Sequence, residues 1–262
     1  MNAPFGPQII VYLFLASVAA GSAFVASITL HRSDPDMFFT GRRSLLLAIG
    51  AISVGIAFLI YDLVDPMRFL LILTEANPQS AISWGARIVM AFTLVAIFCW
   101  ALYRDKKSGS ATAGECAALW VLRLLALALA IYPGFVLWQG EANALWQTWV
   151  IVPLIGFSGL HAGMAASSLL APKHRQSLPL SLIFIERILL SGMLVFAGFF
   201  LLNAGPAKDL IAYLFLAIGV VLPIVIIASC PKTSGILAGL CALVGSVLLR
   251  TWLITAGQSL FF

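Results

Sequence analysis

Charge is what this sequence lacks most. Only 10% of its 262 residues are Asp, Glu, Lys or Arg, whereas a soluble domain carries about 25%. With 62% hydrophobic residues and a mean hydropathy of +1.06, no soluble fold of this length could hide its apolar surface. Metal-binding residues are also sparse. The four cysteines (Cys99, Cys116, Cys230, Cys241) are scattered and form no CxxC, which speaks against an iron–sulfur cluster or zinc site within the chain. A haem held by two histidines needs both inside the bilayer. Of the three histidines only His161 falls in the core of an apolar run, while His31 and His174 lie in connections, so no haem is expected. No Walker motif, nucleophile elbow or HExxH occurs. The basic residues form no face interleaved with aromatics, which excludes a nucleic-acid surface. The first apolar run has no basic n-region before it and is read as a retained helix rather than a cleaved signal.

What remains is an all-α integral membrane protein. Runs of about 20 apolar residues span a bilayer, and there are eight, at 8–30, 44–61, 81–103, 117–137, 147–170, 178–202, 210–229 and 235–256. Trp84, Trp138, Trp146 and Trp149 fall near helix ends, where interfacial tryptophans gather. Gly235 and Gly239 give the last helix a close-packing signal. Of the fifteen Lys and Arg residues, nine (Arg32, Arg42, Arg43, Arg104, Lys106, Lys107, Lys173, Arg175 and Lys232) fall in connections on one face. Arg68 and Lys208 fall on the other, and four lie within helices. The positive-inside rule then puts both termini on the periplasmic side of a bacterial inner membrane. Ala20-Gly21-x-Ala23 recurs as Ala162-Gly163-x-Ala165, each followed by a His-Arg pair (His31-Arg32, His174-Arg175). The recurrence suggests two four-helix units in tandem, 1–138 and 139–262.

The connection Tyr61–Arg87 holds Asp62, Asp65, Glu75, two arginines and two prolines between strongly apolar neighbours. Such a stretch is costly beside lipid unless it lies at the interface or lines a cavity. Gln8 and Tyr12 near the start of the first helix, Asp62 at the end of the second, Trp84 and Arg87 in the third, and Tyr132-Pro133-Gly134 in the fourth lie at similar depth. Phenol, carboxylate, amide and guanidinium groups beside aromatic rings suit a quinone, whose carbonyls need donors and whose reduction needs protons. The plainer reading is that Tyr12, Tyr61 and Tyr132 are interfacial tyrosines and that Asp62 pairs with Arg87. On the opposite side His161, Glu186, Arg187 and Arg123 lie within helices. His161 and Glu186 could carry protons through an inner half-channel, or could simply bond helix to helix.

Several segments together resemble the NrfD/PsrC family, the haem-free membrane subunits of polysulfide-reductase-like and nitrite-reductase-associated complexes. They are YLFLASVAAG (Tyr12–Gly21), DLVDPMRFLLIL (Asp62–Leu73), SWGAR (Ser83–Arg87), Tyr132-Pro133-Gly134 and LLRTWLITAGQ (Leu248–Gln258). The resemblance implies menaquinone or ubiquinone bound near the outer face of the first four-helix unit, with contacts from Tyr12, Asp62 and Tyr132. It also implies a periplasmic partner subunit carrying four [4Fe-4S] clusters, which serves a molybdopterin or multihaem catalytic subunit. A small secondary transporter or proton channel is the competing class. It would place its substrate site near the midplane, between broken helices.

Overall fold

A backbone in lipid has no partner but itself, so apolar runs of this length are driven into helices. In a computed structural model the described residues are 6–32, 34–62, 80–106, 111–139, 146–170, 180–203, 210–229 and 234–259. They form eight membrane-length helices and no strand. These are α1 (Pro7–Thr29), α2 (Pro35–Asp62), α3 (Ala81–Tyr103), α4 (Ala113–Trp138), α5 (Ile151–Leu169), α6 (Leu180–Asn203), α7 (Leu210–Ser229) and α8 (Ser234–Ser259).

Several boundaries differ from expectation for identifiable reasons. The helix expected at 44–61 begins at Pro35. Its first turns carry Asp36, Arg42 and Arg43 and so escape a hydropathy window. Arg42 and Arg43, read as connection residues, lie inside α2 with their guanidinium groups over the Trp100 and Phe39 rings, 5.7 and 4.1 Å from the centroids. α4 starts four residues earlier than expected, because Thr112 and Glu115 form a capping box. Tyr132-Pro133-Gly134 is no break, since α4 runs through Pro133 to Trp138. α7 contains a π-helical segment, Phe215–Val221, just ahead of Pro223. A proline removes one helical donor and crowds the carbonyl four residues earlier, and a widened turn accommodates both effects.

α1 packs against α2, α4, α5 and α8, and is the axis of the bundle. It presents a stripe of small residues, Ala16, Ala19, Ala20, Ala23 and Ala26, all fully buried. Where lipid supplies no hydrophobic drive between helices, such residues allow close approach and dispersion contact. The two copies of the recurring motif meet there. A methyl added to Gly21 would stand 2.7 Å from the Gly163 Cα, and Ser22 Oγ donates to the Gly163 carbonyl at 3.2 Å. Among the described glycines the close approach in the last helix is at Gly245, against Gly219 of α7; an added methyl at Gly239 would make ordinary contacts of 3.5 Å or more, and the surroundings of Gly235 lie outside the described residues. One buried cluster is built mostly from α1–α4, and a second mostly from α5–α8. Trp84, Trp138 and Trp149 are exposed, but Trp146 is buried and its indole donates to the Leu253 carbonyl at 2.9 Å. It locks the entry to α5 onto α8 and is not an interfacial residue.

A side chain at Gly163 would strike the α1 backbone, with an added methyl 2.5 Å from the Ser22 amide nitrogen. Gly163→Leu is expected to cost about 1–3 kcal/mol, seen as a lower melting temperature of the detergent-purified protein. Gly50→Ala, with nothing within 4 Å of the added methyl, should not lower it. Equal melting of Gly163→Leu and the parent would refute the close crossing.

Candidate functional site

Two tyrosines on adjoining helices meet near the bundle end where α1 begins. Tyr12 lies in the second turn of α1 and Tyr132 in the penultimate turns of α4. Both are buried, and their hydroxyls are hydrogen-bonded to each other. Glycine makes room for this pair. A methyl on Gly85 of α3 would lie 2.7 Å from the Tyr132 ring, and one on Gly134 would lie 2.6 Å from the Val152 Cα of α5. Pro133 removes a helical donor beside Tyr132, leaving the Leu129 carbonyl without its usual backbone partner.

The tyrosines form one wall of a cavity of about 190 Å³. The remaining lining is apolar: Ile9 and Leu13 from α1, Leu59 from α2, Ile82, Ala86 and Val89 from α3, Val136 and Leu137 from α4, and Ile254 from α8, with Gly85 and Pro133. The lining reaches the bundle exterior at Ile82, which is 58% exposed. Pockets for drug-sized ligands run from about 300 Å³, so this one suits a ring rather than a whole prenylated molecule. Its chemistry is narrow: the tyrosine hydroxyls, which donate and accept, are the only polar side-chain groups in the described lining.

The other candidates are placed as follows. Gln8 lies half-buried one turn before Tyr12 and is not in the described lining. Trp84 is half-exposed, with the Arg87 guanidinium 5.5 Å from its ring centroid. Both lie on α3 outside the described lining. Asp62 is the last residue of α2. Its side chain and the whole 63–79 connection, with Asp65 and Glu75, lie outside the described residues. Deeper in the bundle, buried His161 of α5 faces Glu186 of α6, Nε2 to Oε1 3.8 Å. Glu186 therefore turns toward His161, while its neighbour Arg187 is exposed. Arg123 donates to Ser27 Oγ and to the Ser27 carbonyl at 3.2 and 3.0 Å, and lies over the Trp120 ring. It serves the end of α1 rather than a site.

In sequence Arg250 is only a helix-borne arginine of the LLRTWLITAGQ segment, yet its setting is the most unusual in the bundle. It is 2% exposed. Nε donates to the Leu13 carbonyl at 3.1 Å. Nη1 donates to Ser158 Oγ at 3.4 Å, to the Ser246 carbonyl at 2.8 Å and to Ser246 Oγ at 2.6 Å, and Nη2 bonds Ser17 Oγ. Every partner is neutral, and among the described residues no carboxylate pairs with it. Ser246, one turn before it, is the only sequence signal. The other partners come from α1 and α5, far away in the chain. Arg250 lines a void of about 10 Å³ that shares Leu13, Pro133, Leu137 and Ile254 as walls with the tyrosine cavity.

A family model described as polysulfide reductase matches residues 5–262 of the chain. The C subunit of the polysulfide reductase of Wolinella succinogenes is 25% identical over 298 residues, an alignment covering 96% of this chain and 93% of that protein.

Arg250 needs all its acceptors, because a buried donor left unmade costs its full desolvation penalty. Ser246→Ala is expected to destabilise the protein by about 1–3 kcal/mol in thermal unfolding in detergent. Thr255→Val, at an exposed position whose hydroxyl bonds only its own helix, should stay within about 0.5 kcal/mol.

Proposed function

The chain belongs to the polysulfide reductase family of NrfD-like proteins, and from that premise we propose that it is the haem-free, quinone-reactive membrane subunit of a respiratory oxidoreductase complex. The observation that carries this reading is the hydrogen-bonded Tyr12–Tyr132 pair at the wall of an apolar cavity that opens at the bundle side. A quinone head group is a flat apolar ring with oxygen at opposite edges. Apolar walls take the ring and a phenol takes one oxygen. Quinol oxidation to quinone yields two electrons and two protons. A hydroxyl pair can hold the oxygen and pass a proton along, accepting one while donating another.

In this reading the end where α1 begins faces the periplasm across a bacterial inner membrane, supported by the excess of Lys and Arg toward the opposite end. Asp62, at the end of α2, is the group we assign to exchange protons with that side. Electrons would leave to, or arrive from, a [4Fe-4S] subunit docked on the same face, itself serving a molybdopterin or multihaem catalytic subunit. In this reading residues 1–138 form the quinone-binding unit and 139–262 the second four-helix unit. The transporter alternative needs free polar groups near the midplane. Arg250, Ser17, Ser158 and Ser246 lie deeper than the tyrosines, and the three serine hydroxyls are engaged by the guanidinium, which weakens that reading.

The test is quinol-dependent turnover of the purified complex. Tyr132→Phe removes a donor to a buried oxygen, which is worth about 1–3 kcal/mol, or roughly 5- to 150-fold in rate or affinity. Gly85→Val, which forces the Tyr132 ring from its place, should match or exceed that loss. Asp62→Asn should slow turnover while leaving quinone affinity intact. Full turnover in Tyr132→Phe and Gly85→Val would remove the tyrosines from the site.

A further inference from the structure

From the setting of Arg250 we infer that the tyrosine cavity selects ligands by charge, preferring a quinoid whose ring hydroxyl is ionised over its neutral counterpart. This rests on the cavity being the quinone site, and adds to that reading which form of the ligand it favours.

Arginine stays protonated in proteins, so the guanidinium brings a full positive charge into the bundle. Its partners are three serine hydroxyls and two backbone carbonyls. These dipoles hold the group in place and solvate it, but none cancels its charge. Charges inside membrane helices usually pair with an opposite charge or border a pathway or ligand. Here no acid is paired among the described residues, and the small void beside the guanidinium shares walls with a cavity that suits a ring. The void of about 10 Å³ is lined by Arg250 and shares Leu13, Pro133, Leu137 and Ile254 with the cavity. It is no larger than one water. Leu13 belongs to both, because its carbonyl accepts from Arg250 Nε and the residue lines the cavity. The apolar lining screens little, so the field of the charge reaches any ring seated against Tyr12 and Tyr132. A fixed charge among residues that share walls with the cavity, in a medium of intermediate dielectric, shifts an ionisation equilibrium by on the order of tenfold or more.

The experiment compares two probes of nearly the same shape on the full chain in nanodiscs. A 2-hydroxy-3-alkyl-1,4-naphthoquinone is ionised at neutral pH and coloured in that form. The 2-methyl-3-alkyl analogue is neutral. Visible absorption gives the apparent pKa of the hydroxyl when bound to the wild-type protein. The expected result is a value at least about one unit below that in protein-free nanodiscs, the equivalent of tenfold. Tryptophan quenching gives both affinities. Arg250→Met should reduce the ratio of acidic to neutral affinity about tenfold or more, and Arg250→Lys should keep most of it. Tyr12→Phe should weaken both probes while leaving the ratio in place. A bound pKa equal to or above the free value overturns the inference even if the arginine variants do not fold. So does an unchanged ratio in Arg250→Met with both probes bound. If the wild type binds neither probe, the quinone reading itself has failed, and this inference goes with it.

Discussion

A guanidinium inside a membrane bundle must be solvated by the protein or expelled from it, and the geometry of this bundle follows from how that requirement is met. The donors of Arg250 reach α1 at Leu13 and Ser17, α5 at Ser158 and its own helix at Ser246. Arginine's five donors are arranged in a rigid planar fork. Satisfying them from several helices therefore fixes the depth and rotation of each relative to the others. Tyr12 is the residue before Leu13, so its place at the cavity wall is set by the same bond that holds the guanidinium.

The second constraint is the absence of side chains. Gly21 and Gly163 let α1 and α5 approach to backbone contact, and the alanine stripe lets the rest of α1 sink into the bundle. Association within a membrane relies on such packing, because lipid is as apolar as the helices themselves. Gly85 and Gly134 extend the same device to the cavity, one making space for the Tyr132 ring and the other drawing α4 onto α5. The cavity thus lies where a hydrogen-bonded tyrosine pair, given room by Gly85, meets aliphatic side chains from α1, α2, α3, α4 and α8.

This division explains what could be seen in the chain alone. Eight helices, and most of their ends, follow from runs long and apolar enough to leave the backbone no other choice. The start of α2 did not, because Asp36, Arg42 and Arg43 give its first turns the hydropathy of a connection. Tyr12 and Tyr132 stood out among polar groups at similar depth on the first and fourth helices, and they do meet. Gly21 and Gly163 stood out as a repeated motif, and they touch. Trp146 misled because proximity in sequence to a helix end says nothing about which way an indole turns. Arg250 could not be ranked at all. Its partners at 13, 17 and 158 acquire meaning only once α1, α5 and α8 are packed together, and no periodicity within α8 announces them.

Order along the bundle also limits how the two buried polar centres can be related. Moving inward along α1, the tyrosine cavity comes first, at Tyr12 and Leu13. Arg250 follows, at Leu13 and Ser17, and the crossing at Gly21 comes next, opposite Leu160 and Gly163 and beside His161. A fixed positive charge inside the bundle repels protons and cations near it. With its donors occupied by serines and carbonyls, the guanidinium is held in place rather than free to swing aside. Along α1 the contact between His161 and Glu186 lies beyond Arg250 as counted from the tyrosine cavity. We assign the proton chemistry of the tyrosine pair to the end of the bundle where α1 begins, through Asp62; the His161–Glu186 contact joins α5 to α6.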